Sequence, residues 1–478
     1  MILYILGSVL KFEAVFLLLP AVVGFIYNES SGLYFLGCAL LCLICGMILG
    51  HKKPEDMMLY AREGFVSVGL SWMIMSVFGA LPMCLCGDIP FYVDALFETI
   101  SGFTTTGASI CTDVEILTHA TKFWRSFTHW IGGMGVFVFI MAILPMMGGS
   151  TMNLMKAESP GPSVGKLVPH VKDTAKILYG MYIALTVAEI TTLIICGMPL
   201  FDSLITTFGT VGTGGFGIKY DSIASYSPTI QIVVTVFMIL SGINYTAYFL
   251  IMCRRFKEVF GIEEVRWYLG IIMGAALIIA VNIFPIYGNA GDSLRHSFFQ
   301  VASIITTTGF ATADFDKWPM LSKTILVLLM FMGACAGSTG GGIKVSRLII
   351  LNRAVKKELS LIIHPREIKK IRMDGHVIEH EVLRNTNVFL VIYFLVLFAS
   401  VLLISVDDYS FTTNFTAVVS AINNIGPGLD MVGPTGSFAA FGAFSKFVLM
   451  FDMLAGRLEL FPVMIMLLPR IWIGNKNR

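Results

Sequence analysis

Phe97-Glu-Thr-Ile-Ser-Gly-Phe-Thr-Thr-Thr-Gly107 and Phe299-Gln-Val-Ala-Ser-Ile-Ile-Thr-Thr-Thr-Gly309 agree at six of eleven positions without a gap. Two weaker copies lie on the same ruler, Leu204-Ile-Thr-Thr-Phe-Gly-Thr-Val-Gly-Thr-Gly214 and Thr416-Ala-Val-Val-Ser-Ala-Ile-Asn-Asn-Ile-Gly426. The anchoring glycines recur at intervals of roughly 100 residues, the mark of an internal repeat. Each interval has room for two membrane spans and a shorter segment between them, so the unit reads as span, half-helix, Gly-containing turn, span. Four units use eight spans and leave residues 1–50 as a separate hairpin. The resulting division is 1–50 hairpin, 51–150 first unit, 151–256 second, 257–352 third, 353–382 a basic cytoplasmic loop, and 383–478 fourth.

Composition requires a membrane. Of the 478 residues, 56% are hydrophobic and 13% charged, against roughly a quarter charged in soluble domains. Ten apolar stretches are long enough to cross as helices: 2–27, 32–50, 65–86, 130–147, 177–198, 230–253, 267–287, an interrupted 325–351, 388–406 and 447–473. The first is too long, and too poor in a small-residue cleavage site, for a secretion signal. Lys and Arg gather in alternate loops, at Lys52 to Arg62, Lys156 to Lys176, Arg254 to Arg266, Lys344 to Arg384 and Arg470 to Arg478. Cytoplasmic loops retain such charges, which places both termini in the cytoplasm. The fold class is therefore an all-α polytopic membrane protein, four pseudo-symmetric span/re-entrant helix/span repeats around one pore plus an N-terminal two-helix hairpin.

A net charge of +2 with scattered basic groups excludes a nucleic-acid binder. The nine cysteines lie mostly inside apolar runs without metal-ligand spacing and read as packing residues. No HExxH, GxSxG or pair of spanning acids at helical spacing supports an enzyme.

The repeated turn has a physical reading. Irregular backbone at membrane depth is tolerated only when it is buried in protein or lines a water-filled path. A half-helix entering from the outer face points its partially negative carboxyl end at the membrane centre, where cations are favoured. Glycine then frees the backbone to turn successive carbonyls toward an axis, replacing the water around a dehydrated ion.

The chain thereby resembles the TrkH/Ktr/HKT superfamily of potassium transporters, and within it the bacterial TrkH type. The resemblance spans almost the whole chain. It rests on Thr104-Thr-Thr-Gly107, Thr210-Val-Gly-Thr-Gly-Gly-Phe216, Thr306-Thr-Thr-Gly-Phe310, Asn423-Asn-Ile-Gly-Pro-Gly428, Gly333-Ala-Cys-Ala-Gly-Ser-Thr-Gly-Gly-Gly-Ile-Lys344 and Gly456-Arg-Leu-Glu-Leu-Phe461. It implies a potassium filter at Thr105, Thr106 and Gly107; Gly212, Thr213 and Gly214; Thr307, Thr308 and Gly309; and Asn424, Ile425 and Gly426. The strings lack the second glycine of the TVGYG filter, and Gly215 stands where the third copy has Phe310.

Gly337, Ser338, Thr339, Gly340, Gly341 and Gly342 interrupt the eighth span. A phosphate-binding loop is excluded because Ile343 and Lys344 follow. Small residues for close helix packing are one reading; the resemblance implies a gate beneath the filter. Arg457 lies within the last span, where Asp452 and Glu459 are off its helical face. A partner on another helix is one possibility, and the resemblance implies an electrostatic barrier to cations beside the pore. Asp94, Glu98, Asp202 and Asp292 are candidates for enriching cations outside, and Lys446 reads as an interfacial anchor. The basic loop Arg347 to Arg384 suits anionic lipid heads. The resemblance adds a homodimer, a bacterial inner-membrane location and a docked TrkA-like cytosolic ring that binds NAD or ATP, with no cofactor on this chain. The rival reading is a secondary transporter coupling potassium to protons or sodium through Glu189 or Asp452.

Overall fold

A computed structural model describes residues 1–52, 61–133, 135, 171–367 and 370–469. The first two helices, α1 (Ile2–Ile26) and α2 (Ser31–Leu49), form the N-terminal hairpin. They pack backbone to backbone: a Cβ on Gly24 would lie 2.7 Å from the Gly32 Cα, a contact only small residues permit between helices in lipid.

Four further groups follow. The first unit has α3 (Ala61–Leu85), α4 (Tyr92–Phe103) and α5 (His119–Gly133); the second has α6 (Val171–Ile195), α7 (Leu200–Val211), α8 (Pro228–Ser241) and α9 (Tyr245–Met252). A short α10 (Phe256–Gly261) leads to the third unit, α11 (Glu263–Tyr287), α12 (Ala290–Ile305), α13 (Met320–Met330) and α14 (Val345–Ile363). A small antiparallel ribbon, β1 (Arg372–Met373) with β2 (His376–Val377), precedes α15 (His380–Ile404), α16 (Phe411–Asn423), α17 (Ala443–Arg457) and α18 (Phe461–Met466). Among the described residues, six helices are long and apolar enough to cross a membrane, and α8 with α9 is apolar enough only as a pair, bent by 93° at the break between them. The chain is a multi-pass membrane protein.

The half-helices α4, α7, α12 and α16 are short, 12, 12, 16 and 13 residues, so each reaches only part of the way across a bilayer. Their starts are built for the job. Asp94, Asp202 and Asp292 sit in the first turns, where a carboxylate complements exposed N–H groups. Ser410 caps α16 by accepting from Thr413 N at 3.1 Å.

In the second and fourth units the second span departs from the expectation of continuity. The stretch 230–253 breaks at Gly242 to Asn244, where the Asn244 side chain accepts from Thr246 N at 2.8 Å and starts a new helix. The stretch 447–473 breaks at Leu458 to Leu460, because Glu459 and Leu460 take positive φ (58° and 64°) and Pro462 then suits the first turn of α18. The interruption expected in 325–351 runs from Phe331 to Lys344. Most of the expected span 130–147, the loop with Lys156 and Lys166, and residues 470–478 lie outside the described residues.

Candidate functional site

Each half-helix ends in the same hydrogen-bonded turn. Thr106 N donates to Ser101 O (2.9 Å), Gly214 N to Gly209 O (2.8 Å), Thr308 N to Ser303 O (2.9 Å) and Ile425 N to Ser420 O (3.0 Å). This is the six-to-one bond of the Schellman motif, which requires a left-handed residue just before its donor. That residue is Thr105, Thr213, Thr307 or Asn424, at φ 55°, 55°, 57° and 55°. A β-branched residue there is unusual and costs on the order of 1–3 kcal/mol, so the surrounding packing holds it.

Two residues on, Gly107, Gly215, Gly309 and Gly426 carry positive φ of 77°, 81°, 84° and 102°. These four close a ring. A Cβ on Gly107 would collide with Gly214 O, one on Gly215 with Thr308 O, and one on Gly309 with Ile425 O; one on Gly426 would stand 2.8 Å from Thr106 O. The equivalent of Gly107 in the second string is thus Gly215, one residue beyond the Gly214 selected by ungapped alignment. Gly212 then matches Thr104, and Phe216 matches Phe310. A vestibule of about 110 Å³ opens outside the ring, touching all four glycines together with Arg125 and Lys219.

Behind the ring the strings differ. Thr104 and Thr106 share a hydroxyl hydrogen bond of 2.8 Å, as do Thr306 and Thr308. In the fourth string Asn424 Nδ2 donates to Thr106 Oγ1 and to Met453 O, both at 2.9 Å, tying the last string to the first. In the second, the imidazole of His129 stands against Gly214.

Directly beneath lies the segment 337–342. Gly341 N donates to Thr307 Oγ1 at 2.7 Å, and Thr339 Oγ1 donates to Ser241 O at 3.3 Å. Arg457 reaches across, donating to Thr339 O (2.8 Å), to Thr105 Oγ1 (3.1 Å) and to Gly132 O. Lys344 Nζ donates to Gly340 O and, at 3.2 Å, to Gly341 O. The buried Glu264 accepts from Ala336 N (2.7 Å) and Ser346 N (3.0 Å), so one carboxylate joins both feet of the segment. Sequence reading missed Glu264, since an acid at the start of an apolar span resembles an interfacial residue. Glu459 pairs with Arg347, which also stacks 3.9 Å from the Phe389 ring centroid.

The outer acids are all engaged. Glu98 accepts from buried Arg125 Nε at 2.7 Å and from Ile110 N at 2.9 Å, which braces the rising limb of the first string. Asp94 pairs with Lys446 at 2.6 Å, making Lys446 a buried partner rather than a simple interfacial anchor. Asp202 accepts from Tyr226 at 2.7 Å, and Asp292 pairs with Arg295 at 2.8 Å. Asp452 is buried and accepts from Ser400 at 2.7 Å; Glu189 is buried within α6. Glu13, which the sequence reading passed over, is another buried acid, on α1 against Gly79.

The chain is a polytopic membrane protein in which four half-helices end in glycine turns that meet in one ring. A sequence model of the TrkH family, described as a cation transport protein, matches residues 34–273 and 258–472. The chain is 36% identical over 466 residues to the Trk system potassium uptake protein TrkH of Salmonella typhimurium, covering 95% of both chains. It is 33% identical over 485 residues to the protein of that name from Vibrio parahaemolyticus, covering 98% of this chain and 99% of the other. The crystal structure of the potassium transporter TrkH from Vibrio parahaemolyticus superposes with a TM-score of 0.89 at 31% identity, over 99% of each chain. The chain belongs to the TrkH family of cation transport proteins.

Proposed function

We propose that this protein takes up potassium across a bacterial inner membrane through a filter made by the four strings. The observation that supports this reading is the closed ring of Gly107, Gly215, Gly309 and Gly426 at the carboxyl ends of four half-helices. Carbonyls of Thr105, Thr106, Thr213, Gly214, Thr307, Thr308, Asn424 and Ile425 line the ion path and replace hydration water. The carboxyl ends of the half-helices favour the dehydrated cation. The units divide as 51–150, 151–256, 257–352 and 383–478, with both termini in the cytoplasm.

Segment 337–342 acts as the gate. Its contacts with Thr307 and Arg457 keep it under the ring, and an ion leaving the filter meets the guanidinium. At ~6 Å and an effective dielectric of ~20, like charges repel by about 3 kcal/mol, enough to slow passage while the segment is closed. The basic α14 and the ribbon behind it form the face for a cytosolic regulatory ring that binds NAD or ATP, and the functional unit is a homodimer. The test is potassium and sodium flux into liposomes holding the purified chain, unaltered or with Gly309→Ser. Potassium-selective flux that the substitution abolishes or makes unselective supports the filter; flux indifferent to it places the pore elsewhere.

A further inference from the structure

The second string reads Gly212-Thr-Gly-Gly215 where the first and third read Thr-Thr-Thr-Gly, and the difference has a visible cause. The side chains that flank the left-handed threonine in strings one and three, Thr104 with Thr106 and Thr306 with Thr308, bond to each other behind the ion path. In string two those flanking positions are Gly212 and Gly214. A Cβ on Gly214 would collide with the imidazole of His129, whose ring atoms are its three nearest neighbours. A Cβ on Gly212 would lie 2.5 Å from His129 O and 2.6 Å from Phe208 O, both backbone atoms.

His129 is wholly buried. Its Nδ1 lies 2.8 Å from Gly102 O, so this nitrogen carries the proton and donates to the half-helix of the first string. The ring centroid lies 4.2 Å from that of Phe216, just beyond Gly215. One side chain therefore touches the strings of two units. The next unit lacks this wedge: Gly133 faces the Tyr182 hydroxyl as Gly242 faces that of Tyr268, and counting back four residues from each pairs His129 with Met238.

We propose that His129 is a specificity-determining positioning residue, a wedge that sets the radial place of the Gly212 to Gly215 backbone in the ring and so the discrimination between potassium and the smaller sodium ion. The inference rests on the filter reading above. Glycine at 214 is there to admit the imidazole, since its φ lies outside the left-handed region and other residues could adopt it.

The experiment measures the potassium-to-sodium flux ratio of the full chain in liposomes, with size-exclusion elution as the control for folding. Gly214→Thr forces the new side chain against the imidazole and is expected to lower the ratio at least tenfold. His129→Ala leaves the string unsupported and is expected to lower it at least fivefold. Combining the two gives the threonine the space of the ring and is expected to restore the ratio to within about threefold of the unaltered chain. Should Gly214→Thr fail to fold, His129→Asn, which keeps a donor near the place of Nδ1, is compared with His129→Ala and is expected to retain at least half the ratio. A double variant no better than the worse single, or a ratio indifferent to His129→Ala, overturns the proposal. Gly309→Ser in the same assay separates the two levels: if it too leaves the ratio unchanged, the filter reading itself has failed.

Discussion

The ring and the segment beneath it are held in opposite ways. Four copies of one backbone turn, with φ values within two degrees of each other at the left-handed residue, make the ring. The segment 337–342 has no repeat: backbone bonds from Tyr245 N to Gly337 O (3.2 Å) and from Ser338 N to Cys335 O (3.3 Å) hold its first two residues, and the rest is pinned mainly by the side chains of Arg457, Lys344 and Thr307, with Glu264 at its feet. A backbone motif survives most side-chain changes, because its bonds are between peptide groups; a segment pinned by individual side chains can be released by one of them. The proposed filter would need the first property and the proposed gate the second.

The sharpest way to break this comparison is at a ring glycine. Gly309→Ala puts a Cβ into Ile425 O at a φ of 84°, where an L residue is already strained, and potassium flux should fall at least a hundredfold. Retained selective flux would show that the ring tolerates side chains after all. Arg457→Ala comes next, with an expected gain in basal flux of about tenfold, below the hundredfold that about 3 kcal/mol of repulsion would allow because other basic groups remain. A fall in flux would identify Arg457 as a support of the ring instead. Deleting Gly340 to Gly342 should raise flux several-fold with the potassium preference intact; an unchanged flux in folded protein would end the gate reading.

Glu264→Ala frees both feet of the segment and should raise basal flux about threefold, while Glu264→Gln, which keeps an acceptor, should fall between the two. The smallest effect concerns pH. Hydrogen bonds from Ser410 and Thr413 hold the Asp430 carboxyl below the ordinary carboxylate range. A depressed value means that its hold on the start of α16 is present at neutral pH and is lost only as pH falls through the lowered pKa, so selectivity should stay flat from pH 8 to about pH 5 and weaken only below the ordinary carboxylate range. Loss of selectivity near pH 6 would point to a different titrating group.

Glu98 and Arg125 show how a plausible surface charge can be misplaced by sequence reading. An acid nearly two turns into a half-helix looks like a cation attractor, yet Glu98 is buried against Arg125 and the Ile110 amide. Breaking a buried pair leaves one charge uncompensated, typically costing about 3–5 kcal/mol, so such residues act on stability before they act on ions. The partner lies 27 residues away on another helix, and no local pattern pairs them.

The alternation of apolar stretches and half-helices, the four-fold repeat and the Gly-rich break were all readable in the chain, because hydrophobic period and glycine placement are local properties dictated by lipid and by backbone sterics. Register in the second string was not. An ungapped ruler aligned Gly214 with Gly107, but the ring selects Gly215, since the deciding contact is with Thr308 O in a different unit. The breaks at Gly242 to Asn244 and at Leu458 to Leu460, the Arg457 bridge and the His129 wedge share that origin. Each is settled by which groups meet across units packed far apart in sequence, and only the tertiary structure decides that.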